Sequence, residues 1–427
     1  MHRHDRLLRR LPVPVLALLT ISFLTACTHN DVDLSDPEAP FVSWPLARVC
    51  EETAWVEGLV FLCDNNSGGV GNIRNYIQTC LRYALEAGAT GLVIPRIRKR
   101  SDKNLADLFT EYLPLDYMFD EAHFRHAFGT SCPQISLYAS EKDIPNVTPE
   151  TEVELIKPKS FGARKGGHPI DQDRHTDRFG DRFRKWLQDG IMPAKASNGR
   201  DAPSIEKPRL IRFEWGVIWE WPVYRDGPEF AATFGSILKF NDALLRLGRA
   251  ALGQMRVISK ENGGAGTFLG AHLRTESDAL GFWPKYYQQA SAYLQRANQK
   301  GFRAAYLATG NTTEATRFSK DAMDLLGMKV FTKEDLLSGQ DRDDLLALSW
   351  DQRAIVDFLI LLGSDYFVGV MPSSFSVYVA MKRHLRKDGL YMRPYKVGTE
   401  GDGLSYLTGK YDHYWDEWLF MFDGMWP

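Results

Sequence analysis

Between residues 58 and 95 a short apolar run, a glycine-rich turn, a helix-patterned stretch and a second apolar run follow one another directly. The first run, Gly58–Cys63, reads GLVFLC, and the turn is Asp64-Asn65-Asn66-Ser67-Gly68-Gly69-Val70-Gly71-Asn72. Over Ile73–Ala87 the residues Ile73, Ile77, Leu81 and Leu85 fall on one helical face, and Gly88 stands where a C-terminal cap belongs. Gly91–Pro95 is the second run. Strand, glycine turn, helix and strand make a βαβ unit, which places the chain in the α/β class.

The same alternation returns near the C-terminus. An amphipathic stretch, Glu229–Gln254, reads as a helix, and the domain boundary is placed near its start. Strands are expected at Thr267–Ala271, Ala304–Thr309, Lys329–Phe331 and Tyr366–Val370, with helices around Trp283–Gln299, from Thr313, and at Asp351–Gly363. This is a second doubly wound parallel sheet. At 427 residues the chain has room for two such lobes: an N-terminal Rossmann-like lobe over 57–228 and a C-terminal nucleotide-binding lobe over 229–427. Leu105–Phe119 and Glu121–Phe128 read as short helices, and Leu210–Val217 as a strand. Residues 139–210 read as a long charged insertion, with some helix around Arg178–Gln188.

The N-terminus places the chain in a compartment. Arg3, Arg6, Arg9 and Arg10 precede an apolar run, Leu11–Cys27, and acidic Asp31, Asp33 and Asp36 follow it. That order predicts a cytoplasmic tail over 1–10 and a signal-anchor over 11–27, with a cleaved signal peptide as the alternative. Residues 28–56, polar with Pro37, Pro40 and Pro45, read as a stem. Cys50, Cys63, Cys80 and Cys132 predict two disulfides in an oxidising lumen, with three pairings open. Sequons stand at Asn65, Asn146 and Asn311. A formal net charge of −2 gives no basis for nucleic-acid binding.

Three stretches carry chemistry. Gly68, Gly69, Gly71 and Asn72 lie between strand and helix, where backbone approaches a ligand closely and a helix N-terminus favours an anion. The turn lacks the third glycine of a dinucleotide fingerprint and the Gly-Lys-Ser/Thr of a P-loop. His272 and Arg274, two apart at a strand end, face one side, and a guanidinium there suits a diphosphate; Glu276 is its simplest structural partner. Last, the strand Tyr366–Val370 leads through Pro372 into Ser373-Ser374-Phe375-Ser376, where hydroxyls and amides at a helix start hold phosphate oxygens. Asp357, on the preceding helix, accepts from a guanine edge or a ribose, or is simply solvated. Arg96, Arg98, Lys99 and Arg100 read mainly as a solvated basic edge, with acceptor or phosphate contact as the alternative. Trp215, Trp219 and Trp221 read mainly as packing, with a wall of the acceptor cleft as the alternative.

GGVGN after a strand, HLR at a strand end and SSFS after FVG, in this order, resemble the GDP-fucose protein O-fucosyltransferase family, in particular a fungal branch. The resemblance covers roughly residues 58–138 and 266–385. It implies two Rossmann-like lobes facing a cleft, the GT-B arrangement, and inverting transfer of fucose from GDP-fucose to a protein or glycan hydroxyl; the alternative is a non-catalytic lumenal binding or scaffold protein that retains the transferase fold. The implied setting is a Golgi or endoplasmic reticulum membrane, with the body lumenal on its anchor. It also implies that Gly68, Gly69, Gly71 and Asn72 lie against the diphosphate and fucose, that His272 and Arg274 contact sugar and phosphate, and that Asp357 holds the guanosine. Ser373, Ser374 and Phe375 would take the phosphates and base. No cofactor and no metal ion are expected. Some relatives place a glutamate in the glycine turn; this chain has none there, which leaves the catalytic base open.

Overall fold

The computed structural model describes residues 32–156, 183, 186–189, 202–214, 221, 223–279, 281, 283–388, 402–409 and 424–427. The tail 1–10, the expected anchor 11–27, Trp215, Trp219 and most of the charged insertion lie outside them. Among the described residues no helix is long and apolar enough to cross a membrane.

The strands are β1 (Val56–Leu62), β2 (Ala89–Val93), β3 (Ile97–Lys99), β4 (Glu111–Leu113), β5 (Ser136–Tyr138), β6 (Val153–Ile156) and β7 (Arg209–Phe213), then β8 (Leu269–His272), β9 (Ala304–Ala308), β10 (Lys329–Phe331), β11 (Tyr366–Val370) and β12 (Ser405–Thr408). One five-stranded sheet runs β5-β2-β1-β7-β6 and another β10-β9-β8-β11-β12. Every pairing within both is parallel. Fully buried strands such as Tyr366–Val370 are what a parallel sheet covered on both faces demands. The two sheets expected from the alternation are both present, and β3 with β4 forms a separate antiparallel hairpin.

Several expectations are corrected. The stem assigned to 28–56 ends in structure: Trp44–Glu51 is a helix with Pro45 at its start, and Leu46, Val49 and Cys50 pack into the core. Residues 105–119 hold no α-helix, because Pro114 and turns at Asn104 and Asp107 break the pattern, leaving β4 and a single 3-10 turn at Leu115–Tyr117. The helix read over Glu229–Gln254 is divided into Pro228–Thr233, a 3-10 turn Phe234–Ile237, and Asp242–Glu261. Asn241 caps the last of these by accepting from the Leu244 amide. The insertion contributes β6, whose Glu154 pairs with Arg209 of β7 at 2.6 Å.

Of the three possible pairings, the disulfides are Cys50–Cys132 and Cys63–Cys80. The second ties the end of β1 to the helix Val70–Glu86, so both sides of the glycine turn are held. That helix is buried on its polar side as well as its apolar one. Arg74 donates to the Trp426 and Pro427 carbonyls at 2.9 and 3.3 Å. Asn75 donates to the Gly424 carbonyl at 2.6 Å, and Arg82 pairs with Asp226 at 2.7 Å.

Candidate functional site

The carboxyl ends of β1, β8, β9 and β11 open onto one cavity of about 430 Å3, the position ligands take in open parallel sheets. Its wall brings together Gly68, Gly69, Gly71 and Asn72 from the first lobe with His272, Arg274, Asp357, Ser373, Ser374 and Phe375 from the second. Every candidate site residue named from the sequence is therefore on this one surface.

The glycine turn is built for close approach. Gly68 has φ +95°, and a Cβ there would stand 2.7 Å from the Asn72 amide nitrogen. A Cβ on Gly71 would meet Ser374 Oγ at 2.9 Å and the Phe375 backbone nitrogen at 3.1 Å. Gly71 is thus one of the points where the two lobes touch. Beside it Ser374 Oγ donates to Asn72 Oδ1 at 2.6 Å. Gly69 begins the helix Val70–Glu86 with no side-chain cap, and the Asn72 amide turns back to the Gly69 carbonyl at 2.9 Å, so the Val70 and Gly71 amides are left for another partner.

On the second lobe the charged groups are held in pairs. Arg274 donates to Glu276 at 2.6 Å and lies 2.8 Å from Asp278. Glu276 was expected as a surface partner; instead its side chain is 6 % exposed and stands in the cavity wall. Burial pushes the Glu276 carboxyl up, but the Arg274 charge and the Gly310 amide, 2.6 Å away, hold it below the usual range. Asp357 is not solvated. It is buried, accepts from Tyr306, and pairs with Lys333 at 3.0 Å. Burial raises its pKa, and Lys333 and Tyr306 oppose that rise.

His272 sits with Nδ1 2.7 Å from Ser376 Oγ, and that hydroxyl accepts from the Val370 amide at 3.1 Å. Burial lowers the imidazole pKa to about 4, so the ring is neutral at neutral pH. It therefore offers a hydrogen bond rather than a positive charge. The Phe375 ring packs 4.6 Å from it.

Several wall residues were not read as site residues, Arg100 and Asp278 among them. Arg100 was assigned mainly to a solvated edge, yet its side chain is 6 % exposed and lines the cavity. Asp278, four residues after Arg274, joins the two: it lies 3.6 Å from Arg100 and 2.8 Å from Arg274. The i, i+4 spacing was a signal for Asp278; nothing local marks Arg100 apart from its neighbours Arg96 and Arg98. Asp64 is outside the cavity and is held by Arg96 and Arg212 at 2.9 and 2.8 Å. Asn65 is engaged as well, its amide donating to the Phe213 carbonyl at 3.0 Å and its oxygen accepting from Arg98.

The family profile described as GDP-fucose protein O-fucosyltransferase matches residues 59–386. No curated protein matches. The chain is similar to the crystal structure of POFUT1 in complex with GDP-fucose, at 13 % identity and a TM-score of 0.49, over 84 % of this chain and 100 % of that one. It is also similar to the fucosyltransferase NodZ from Bradyrhizobium, at 13 % identity and a TM-score of 0.38, over 76 % of this chain and 92 % of that one.

Proposed function

Since this chain belongs to the GDP-fucose protein O-fucosyltransferase family, we propose that it is an inverting GT-B-type glycosyltransferase moving fucose from GDP-fucose to a hydroxyl of a protein or glycan. The observation that carries this reading is the convergence of Gly68–Asn72, His272-Arg274, Asp357 and Ser373–Phe375 on one cavity between two parallel sheets.

The bond from fucose C1 to the β-phosphate oxygen breaks, and its electron pair stays on that oxygen. Arg274, preorganised by Glu276, stabilises the growing charge, as do the open amides of the helix after Gly69. The Ser373–Phe375 segment takes further phosphate oxygens. Asp357, kept in place by Lys333 and Tyr306, accepts from the guanine edge. The acceptor hydroxyl attacks C1 from the opposite face, and its proton passes to solvent water as the new C–O bond forms. Despite burial, Arg274 holds the Glu276 carboxyl below its usual range, so Glu276 is a weak base where it stands. The charge on Arg274 takes the place of a metal ion, and transfer is expected to persist in excess EDTA.

The basic flank, apolar run and two disulfides support an exported body on an anchor over 11–27, in the Golgi or endoplasmic reticulum membrane. A thermal-shift screen of residues 41–427 against GDP-, UDP- and ADP-sugars tests the donor. A GDP-selective rise is expected, and a rise with UDP-sugars alone overturns the assignment. Expression behind the native N-terminus, followed by membrane fractionation, tests the anchor; a wholly soluble product removes it.

A further inference from the structure

The reading above gives the leaving diphosphate one guanidinium. The first lobe carries another in the same wall. Arg100 follows β3, and its contacts differ in kind from those of Arg274. Arg274 donates to Glu276 at 2.6 Å and lies 2.8 Å from Asp278. Arg100 reaches Asp351 only at 3.3 Å through Nε and Asp278 only at 3.6 Å through Nη1. Its buried Nε makes no hydrogen bond. A buried guanidinium loses its hydration, and ion contacts of this length offset that loss poorly. Close anionic oxygens are what such a group lacks.

The position of Arg100 says where that anion sits. Its Nη2 lies 3.8 Å from where a Cβ on Gly69 would stand, and Gly69 begins a 17-residue helix without a side-chain cap. A cation with spare donors and an open helix N-terminus therefore face the same space, and each independently favours an anion. The Trp350 ring, 5.1 Å from the guanidinium, supports it from another side.

We propose that Arg100 is a second diphosphate-binding residue, holding the donor's pyrophosphate from the first lobe while Arg274 holds it from the second. Asp278, which contacts both, is the carboxylate they exchange for phosphate oxygens. This rests on the donor reading above, and it makes the diphosphate the part of the donor that both lobes grip by charge.

Titration calorimetry of the whole lumenal body with GDP and with guanosine tests it, on the wild type, Arg100→Gln and Arg100→Lys. Arg100→Gln is expected to weaken GDP by about 10- to 100-fold while leaving guanosine unchanged. It is also expected to flatten the salt dependence of GDP affinity. Arg100→Lys, which keeps the charge without the planar fork, falls between the two. GDP affinity unchanged in Arg100→Gln overturns the proposal, as does an equal loss for GDP and guanosine, which marks a structural role. If Arg100→Gln does not melt cooperatively, Arg100→Lys decides: reduced GDP affinity at wild-type melting temperature supports the proposal, and unchanged affinity ends it. A wild type that binds neither GDP nor GDP-fucose sinks the donor reading itself, which separates that failure from this one.

Discussion

The two lobes furnish the cavity by opposite means. The first gives mostly backbone, at Gly68, Gly69 and Gly71, and it is cross-linked by Cys50–Cys132 and Cys63–Cys80. The second gives side chains whose charges are already paired, Arg274 with Glu276 and Asp278, Asp357 with Lys333. No cysteine follows Cys132. A backbone site needs its scaffold fixed, because peptide groups cannot re-aim independently of the chain. A side-chain site needs counter-ions, because an unpaired buried charge is costly.

The largest effect expected from this contrast is on the covalent ties. Replacing Cys50 and Cys132 by serine opens a link between residues 82 apart, and the chain-entropy estimate for such a loop is a loss of about 4–5 kcal/mol. The Cys63–Cys80 pair, 17 apart, is expected to cost about 3 kcal/mol on the same basis. Denaturant unfolding of both double mutants checks the order. Equal and small losses would break the view that the first lobe relies on its cross-links.

Next comes Arg274→Ala, expected to cost about 3–4 kcal/mol in the transfer barrier, a fall of roughly 100- to 1,000-fold in turnover. It also leaves Glu276 without its counter-ion, so the melting temperature falls too. Arg274→Lys restores the charge, and comparing the two variants separates fold from chemistry. Turnover near the wild-type rate in Arg274→Ala removes the transferase mechanism.

A third test concerns the join. Burial pushes the Asp351 carboxyl from 3.8 up to about 6, against the pull of Arg100. Between those values the folded chain keeps a proton that the unfolded chain has released, so stability falls as pH rises from about 4 to about 6. Asp351→Asn removes that slope and narrows the difference by up to about 3 kcal/mol. Unfolding free energies of wild type and variant from acid to neutral pH measure it; parallel curves would show that Asp351 titrates normally.

The smallest effect sharpens the backbone side of the contrast. Gly71→Ala forces a methyl against the Phe375 backbone nitrogen at 3.1 Å, an overpacking of about 1–3 kcal/mol that should appear as weaker donor binding. Gly69→Ala meets no protein atom closer than Arg100 at 3.8 Å, so its methyl should weaken donor binding by entering the diphosphate's space while leaving the ligand-free melting temperature unchanged. Calorimetry with GDP, set beside the ligand-free melting temperatures, distinguishes the two variants.

What could be read in advance follows the same division. The glycine turn was legible because a site made of backbone leaves its composition in one continuous stretch. His272, Arg274 and Ser373–Phe375 were legible because strand ends announce themselves by a change from apolar to polar residues. Arg100 was not, since it sits in a run of cations and only the fold decides which of them turns inward. The burial of Asp357 was missed for a related reason: Lys333 and Tyr306, which stabilise it, come from other elements. The helix Trp44–Glu51 was hidden by the prolines around it, although Pro45 sits where a helix start accepts one.

The chain leaves the first lobe before Asp242–Glu261, yet Gly424, Trp426 and Pro427 come back to lie on Arg74 and Asn75 of the helix Val70–Glu86. The chain's end is consequently a further tie between the halves, beside the contacts that Asn72 and Arg100 make with the second lobe. A hinge motion that admits substrate should then widen the mouth while the floor, where Gly71 abuts Ser374, keeps its alignment.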